Sequence, residues 1–167
     1  MKKIVAYVLL FVFMFSFNVS AFSNDKETIE TNNAVYEYFD DGSYLVTTFE
    51  YVVSNQNLNS RAADDYTVTG SKSATCYDSN DSVLWQVTVT GVFLIIPSNV
   101  NLSGMCQSST LSYVINNSSW HISNIVEQEI TNNACISCTM KRKYLGITTK
   151  TVDVELHIVC DGYGNMK

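Results

Sequence analysis

The chain has 167 residues and a formal net charge of −6. From residue 22 onward it holds 15 Thr, 17 Ser, 15 Asn and 15 Val against only 8 Leu and 5 Ala, a composition that argues against a helical bundle or a βαβ enzyme fold and for strands and turns. The aromatic content (10 Tyr, 8 Phe) excludes general disorder, and the acidic balance excludes nucleic acid as a natural partner.

Lys2 and Lys3 precede an apolar run from Ile4 to Phe17, and Val19-Ser20-Ala21 offers small side chains at a peptidase site. This is the pattern of a secretory signal over residues 1–21. The apolar run is shorter than the roughly 20 residues that a membrane span needs. The expectation is a secreted product, extracellular or loosely attached to the cell surface, without stable membrane insertion. Residues 22–34 are polar and acidic and read as a flexible lead-in, which leaves residues 35–167 as a single domain.

Strands are predicted in succession. Tyr36–Phe39 is a first strand or the transition into one, and Asp40-Asp41-Gly42-Ser43 is a turn. Tyr44–Val53 places Leu45, Thr47, Phe49, Tyr51 and Val53 on one face, and the polar stretch Ser54–Asp65 is a loop. Thr67–Tyr77 and Val83–Val92 form a hairpin around Asp78-Ser79-Asn80-Asp81, with Val83, Trp85, Val87 and Val89 facing a core. That acidic turn lacks the downstream Gly and Glu of an EF-hand loop. Phe93–Ile96 runs on to a turn at Pro97-Ser98-Asn99. Asn101–Ser108 and Leu111–Asn116 read as two short strands, the first with Leu102, Gly104 and Cys106 in phase. Trp120–Ile130 and Ala134–Tyr144 follow, Leu145-Gly146-Ile147 interrupts, and Thr149–Cys160 completes the domain. The last places Val152, Val154, Leu156, Ile158 and Cys160 on one face and Asp153, Glu155 and His157 on the other. About eight strands without a long helix predict an all-β fold, an antiparallel β-sandwich or small barrel.

The five cysteines are Cys76, Cys106, Cys135, Cys138 and Cys160. Export makes disulfides the default, and an odd number leaves one thiol over. Cys106 and Cys160 both fall in phase with apolar neighbours, which predicts a bridge between them. A second bridge from Cys76 to Cys135 or Cys138 is compatible with it. Residues three apart on a strand face opposite sides, so Cys135 and Cys138 are not expected to pair. Their CxxC spacing has no second ligand pair for zinc and no strand-to-helix setting for redox chemistry. No metal or cofactor is therefore expected.

No catalytic residues are assigned either. His121 and His157 are predicted to face outward, and Asp40-Asp41 and Asp64-Asp65 are turn formers. Lys141-Arg142-Lys143 is a solvated strand end. Trp85 and Trp120 align with aliphatic neighbours and are predicted core residues. Burial of both favours a non-catalytic interaction or structural protein, whereas an exposed row of aromatics favours a carbohydrate-binding module. A toxin-like or antagonistic role is a third reading, and the partner classes are protein or glycan.

Several stretches carry a resemblance: Thr69-Gly70-Ser71-Lys72-Ser73-Ala74-Thr75, Ser82–Phe93 (SVLWQVTVTGVF), Ser118-Ser119-Trp120, Lys141–Gly146 (KRKYLG) and Val154–Cys160 (VELHIVC). Together they resemble a family of small secreted β proteins from anaerobic Gram-positive bacteria with a similar G-S-K-x-A-x-x-Y … L-W-x-V-x-V-T-G-x-F core. The likeness runs from about Gly42 to the C-terminus. The family has no established activity, so the resemblance implies a fold class and a secreted address only. It also implies one cysteine near Cys106 and one near Cys160, with Cys76, Cys135 and Cys138 as additions.

Overall fold

The computed structural model describes residues 27–31, 34–53 and 65–167. The predicted signal, the start of the lead-in and nearly all of the Ser54–Asp65 loop lie outside them. The described residues form nine strands: β1 Glu27–Thr31, β2 Ala34–Tyr38, β3 Tyr44–Val53, β4 Tyr66–Tyr77, β5 Val83–Ile95, β6 Met105–Ile115, β7 Trp120–Ile130, β8 Asn133–Tyr144 and β9 Ile147–Val159. The protein is all-β. Strands β1–β6 make one antiparallel sheet in chain order, and β7–β9 make a second. The two sheets share one core, and among the described residues no strand ladder closes them into a barrel, so the fold is a sandwich.

Period-2 patterning builds both inner faces. From the first sheet Leu45, Val68, Ala74, Cys76, Trp85, Val87, Val89, Phe93 and Ile95 turn inward. From the second come Trp120, Ala134, Ile136, Cys138, Met140, Val152, Val154, Leu156 and Ile158. Trp85 meets Trp120 edge to face, with ring centroids 5.8 Å apart. The sheets approach closely at Gly91, where a Cβ atom would lie 2.7 Å from that of Ala134. The outer face of the larger sheet is covered by hydroxyl pairs across its strands, Ser73 with Thr88 at 2.8 Å and Ser71 with Thr90 at 3.1 Å.

Three sequence expectations differ from the structure. Part of the lead-in, Glu27–Thr31, is a strand: three of its five residues are β-branched, and it pairs with β2 from Glu27↔Tyr38 to Thr31↔Ala34. The two short strands expected after Pro97 are one, β6. Leu102 and Gly104 do not belong to it: turns at Asn99 and Leu102 and a positive φ of 80° at Gly104 break the extended run. Leu102 is accordingly exposed rather than in phase with Cys106. Finally, Leu145 and Gly146 are not a break of several residues. They are the two central residues of a tight hairpin turn, with Tyr144 paired to Ile147.

Candidate functional site

The tip of the β8–β9 hairpin combines strain with exposure. Leu145 and Gly146 both have positive φ, 49° and 82°, as a type I′ turn requires. Such turns favour Asn-Gly, because a branched side chain in the left-handed region is crowded. Here the first position carries a leucine that is 87 % exposed, flanked by Tyr144 and Ile147, each 70 % exposed. Below this apolar tip, Lys141, Arg142 and Lys143 run down the end of β8, as predicted for a solvated strand end.

Beside the stem of the same hairpin lies a cleft of about 480 Å³, lined by Tyr38–Asp41 on one side and by Arg142 and Thr149–Asp153 on the other. Lys150 bridges its walls. Its Nζ donates to Asp41 Oδ1 at 2.8 Å and to Ser43 Oγ at 2.7 Å, and it lies 3.9 Å from the centre of the Phe39 ring. Partial burial pushes the Asp41 carboxyl up. The hydrogen bonds from Lys150 and Ser43 and the charge of Lys150 outweigh it and hold the group at about 2, below its ordinary 3.8. A depressed carboxylate stabilises the fold above its unfolded pKa, and that contribution is lost as pH falls from near 4 through about 2. Because Asp41 is substantially exposed, solvent screening limits it to about 1 kcal/mol or less. Asp41→Asn is therefore expected to lower stability by that amount at neutral pH and to flatten the pH dependence in that window. Urea melts of both proteins from pH 2 to 6 check this; parallel acid limbs would rule it out.

Two groups of aromatic side chains bear on the carbohydrate-binding expectation. Trp85 and Trp120 are 0 % and 3 % exposed, as their alignment with aliphatic residues predicts. On the outer face Tyr38, Tyr44 and Tyr77 form a row across β2, β3 and β4. The row is stacked on itself: Tyr44 lies 5.6 Å from Tyr38 and 5.0 Å from Tyr77, the latter pair nearly parallel at 12°. The Tyr44 hydroxyl donates to Asp81 at 2.7 Å, which pins the row to the β4–β5 turn. The hydrogen bond to Asp81 is the largest cause of a Tyr44 hydroxyl raised to about 12. Rings that cover one another present edges to solvent, and a sugar stacks on open ring faces.

All five cysteines are free thiols in this structure. Cys76, Cys138 and Cys160 face the core, whereas Cys135 lies on the outer face of the second sheet, opposite in direction to Cys138. Cys76 and Cys135 are thus on opposite sides of that sheet. Cys106 and Cys160 are neighbours: their backbone amides donate to consecutive carbonyls of the β7–β8 turn, Thr131 at 2.7 Å and Asn132 at 2.9 Å. Burial pushes the thiols up, to about 12 for Cys76 and about 11 for Cys138 and Cys160, and also raises Cys106 and Cys135. This is the opposite of an activated nucleophile.

His121 and His157 both sit on the outer face, as predicted. No charged side chain is found within bonding distance of His121 among the described residues, whereas His157 lies among Glu155, Cys135 and Asn133. The grouping joins β8 to β9, so periodicity within either strand alone does not reveal it. Asp153, also on this face, accepts a hydrogen bond from Thr139 Oγ1 at 2.9 Å.

No family model, curated protein or solved structure matches this chain.

Proposed function

We propose that this protein is a non-catalytic interaction module, exported from its cell, that binds a protein partner through the tip of the β8–β9 hairpin. The observation that carries this reading is Leu145. A leucine held at φ 49° and 87 % exposed costs about 1 kcal/mol in backbone strain, and it offers nothing to the core. Such an outlier is retained where the side chain is used. Tyr144 and Ile147 extend the apolar contact, and Arg142 with its two lysine neighbours supplies a cationic rim suited to an acidic partner surface. Export is supported by the charged start and short apolar run at the N-terminus, and by the resemblance to small secreted β proteins. The carbohydrate-binding reading has less support, because both tryptophans are buried and the tyrosine row is stacked on itself.

Leu145→Asn separates the two roles of the tip. Asparagine fits the left-handed position, so the variant is expected to be more stable by about 0.5–1 kcal/mol. It is also expected to lose binding. The measurement is surface capture of proteins from the producing organism's cell envelope by wild-type and variant chains, with a glycan array run in parallel. A protease-sensitive partner retained by wild type and lost by Leu145→Asn supports the proposal. Equal capture by both, or glycan binding untouched by the substitution, overturns it.

A further inference from the structure

We propose that Cys135, Glu155 and His157 form a binding site for a divalent transition-metal ion of the zinc type on the outer face of the three-stranded sheet. The register of β8 and β9 places Cys135 directly opposite His157, and Glu155 precedes His157 by two residues on the same face of β9. One donor atom from each of the three side chains lies within 4.8 Å of the others. The imidazole Nε2 is the shared centre: Cys135 Sγ stands 3.8 Å from it and Glu155 Oε1 3.0 Å from it.

These separations approach those of a tetrahedral ion. With metal–sulfur, metal–nitrogen and metal–oxygen bonds of about 2.3, 2.0–2.1 and 2.0–2.2 Å, tetrahedral angles put sulfur about 3.6 Å from nitrogen and nitrogen about 3.4 Å from oxygen. Side-chain adjustments of a few tenths of an ångström bring sulfur and oxygen to these distances from Nε2, and rotation of the largely exposed Glu155 side chain closes the sulfur–oxygen separation, which is within 4.8 Å. The donor types narrow the ion. A set of one sulfur, one nitrogen and one oxygen suits zinc and its first-row neighbours, whereas calcium and magnesium take oxygen ligands. Three protein donors leave a fourth position for water.

The surroundings hold the ligands in place. Lys72 Nζ, from the facing sheet, donates to the His157 carbonyl at 3.3 Å and fixes the backbone there. Asn133 Nδ2 lies 3.3 Å from His157 Nδ1, and its own Oδ1 is buried without a hydrogen-bond partner. Turning the amide over places Oδ1 against Nδ1, where it accepts a hydrogen bond from Nδ1–H and leaves the Nε2 lone pair free for a metal. Binding takes Cys135 as thiolate and releases its proton to solvent. A nucleophilic cysteine is the competing use of these residues, but burial and the Glu155 carboxylate raise the Cys135 thiol rather than lower it. The CxxC spacing also misdirects attention to Cys138, which faces the core. The further ligands come from β9.

The test is titration of the reduced, signal-free chain with Co(II) and with Zn(II). Wild type is expected to bind one Co(II) with a thiolate-to-cobalt charge-transfer band and the ligand-field intensity of a tetrahedral site, and Zn(II) is expected to displace it. Cys135→Ser should remove the charge-transfer band, and His157→Gln and Glu155→Gln should each weaken binding at least tenfold. Asn133→Ala should weaken it about 10–100-fold. Cys106→Ser should leave it unchanged. His157 and Glu155 are partly or largely exposed, so their variants keep the test valid if Cys135→Ser fails to fold by near-ultraviolet circular dichroism. Absence of the band in a wild-type chain whose thiols titrate as reduced overturns the proposal. So does a band or an affinity that the Cys135, His157 and Glu155 substitutions leave unaltered.

Discussion

Trp85→Ala is expected to destabilise the protein by about 3–5 kcal/mol. Trp85 is fully buried on the inner face of β5 near its start, beside Val87 and the strand partner Cys76, and it packs edge to face on Trp120 across the sandwich. Alanine removes the indole and leaves a cavity that two sheets tied by their own ladders cannot collapse to fill. For a domain of this size, whose whole stability is about 5–15 kcal/mol, that loss is severe. Trp85→Phe is the informative control. It keeps an aromatic ring against Trp120 and removes an indole N–H that has no hydrogen-bond partner, so its cost is expected to be well under half of the alanine value. Denaturant melts of the three proteins, compared at equal m-values, decide the matter. A loss below about 1 kcal/mol for the alanine variant would contradict the burial argument.

The second large effect is expected from oxidation. Exposing the reduced chain to a disulfide oxidant such as oxidised glutathione is expected to join Cys106 to Cys160, each sulfur giving up its proton and one electron to the oxidant. Their amides are anchored to adjacent carbonyls of one turn, and the Cys106 thiol is close enough to Cys160 to influence its ionisation. The bridge closes a loop of roughly 55 residues, and the chain-entropy model assigns such a loop about 4 kcal/mol, less any native-state strain. Non-reducing peptide mapping identifies the linkage, and urea melts with and without reductant give its magnitude. A Cys106 peptide recovered free, or linked elsewhere, would rule the pairing out. Cys135 is expected to remain unlinked to Cys76, since the second sheet lies between them.

Most of the architecture was legible in the sequence because alternation is a local signal. Val152, Val154, Leu156 and Ile158 had to face one way and Asp153, Glu155 and His157 the other, whatever the partner strands were. Alternation places Leu102 and Gly104 on a continuous strand with Cys106, whereas the hydrogen bond from Gly104 N to Leu94 O and the positive φ at Gly104 bend the chain there. The polar cluster on β8 and β9 was not legible. Its members face the same way in either strand's pattern, but only the register that sets Cys135 against His157 brings them together. That register is determined by the two-residue turn at Leu145-Gly146, and the sequence at that turn reads as a hydrophobic interruption rather than as an Asn-Gly signal. The exposed tip was hidden for the same reason: leucine at such a position is a local rule broken, and hydrophobicity alone assigns it to the interior.

Every ladder in the two sheets joins strands that are consecutive in the chain. Each strand can therefore pair with the one just before it as soon as both are available, and no early strand must wait for a late one to complete its hydrogen bonds. Pairing chain neighbours keeps contact order below that of a sheet with crossovers, and the docking of one sheet on the other brings the most distant residues together. Such a chain can assemble in the direction of its synthesis, with the six-stranded sheet formed before the last three strands arrive to cover it. The vulnerable interval is the one in which the inner face carrying Trp85, Val87 and Phe93 has no lid. Variants that slow the closing of the β7–β9 meander are expected to aggregate while folding, even where the finished fold tolerates them.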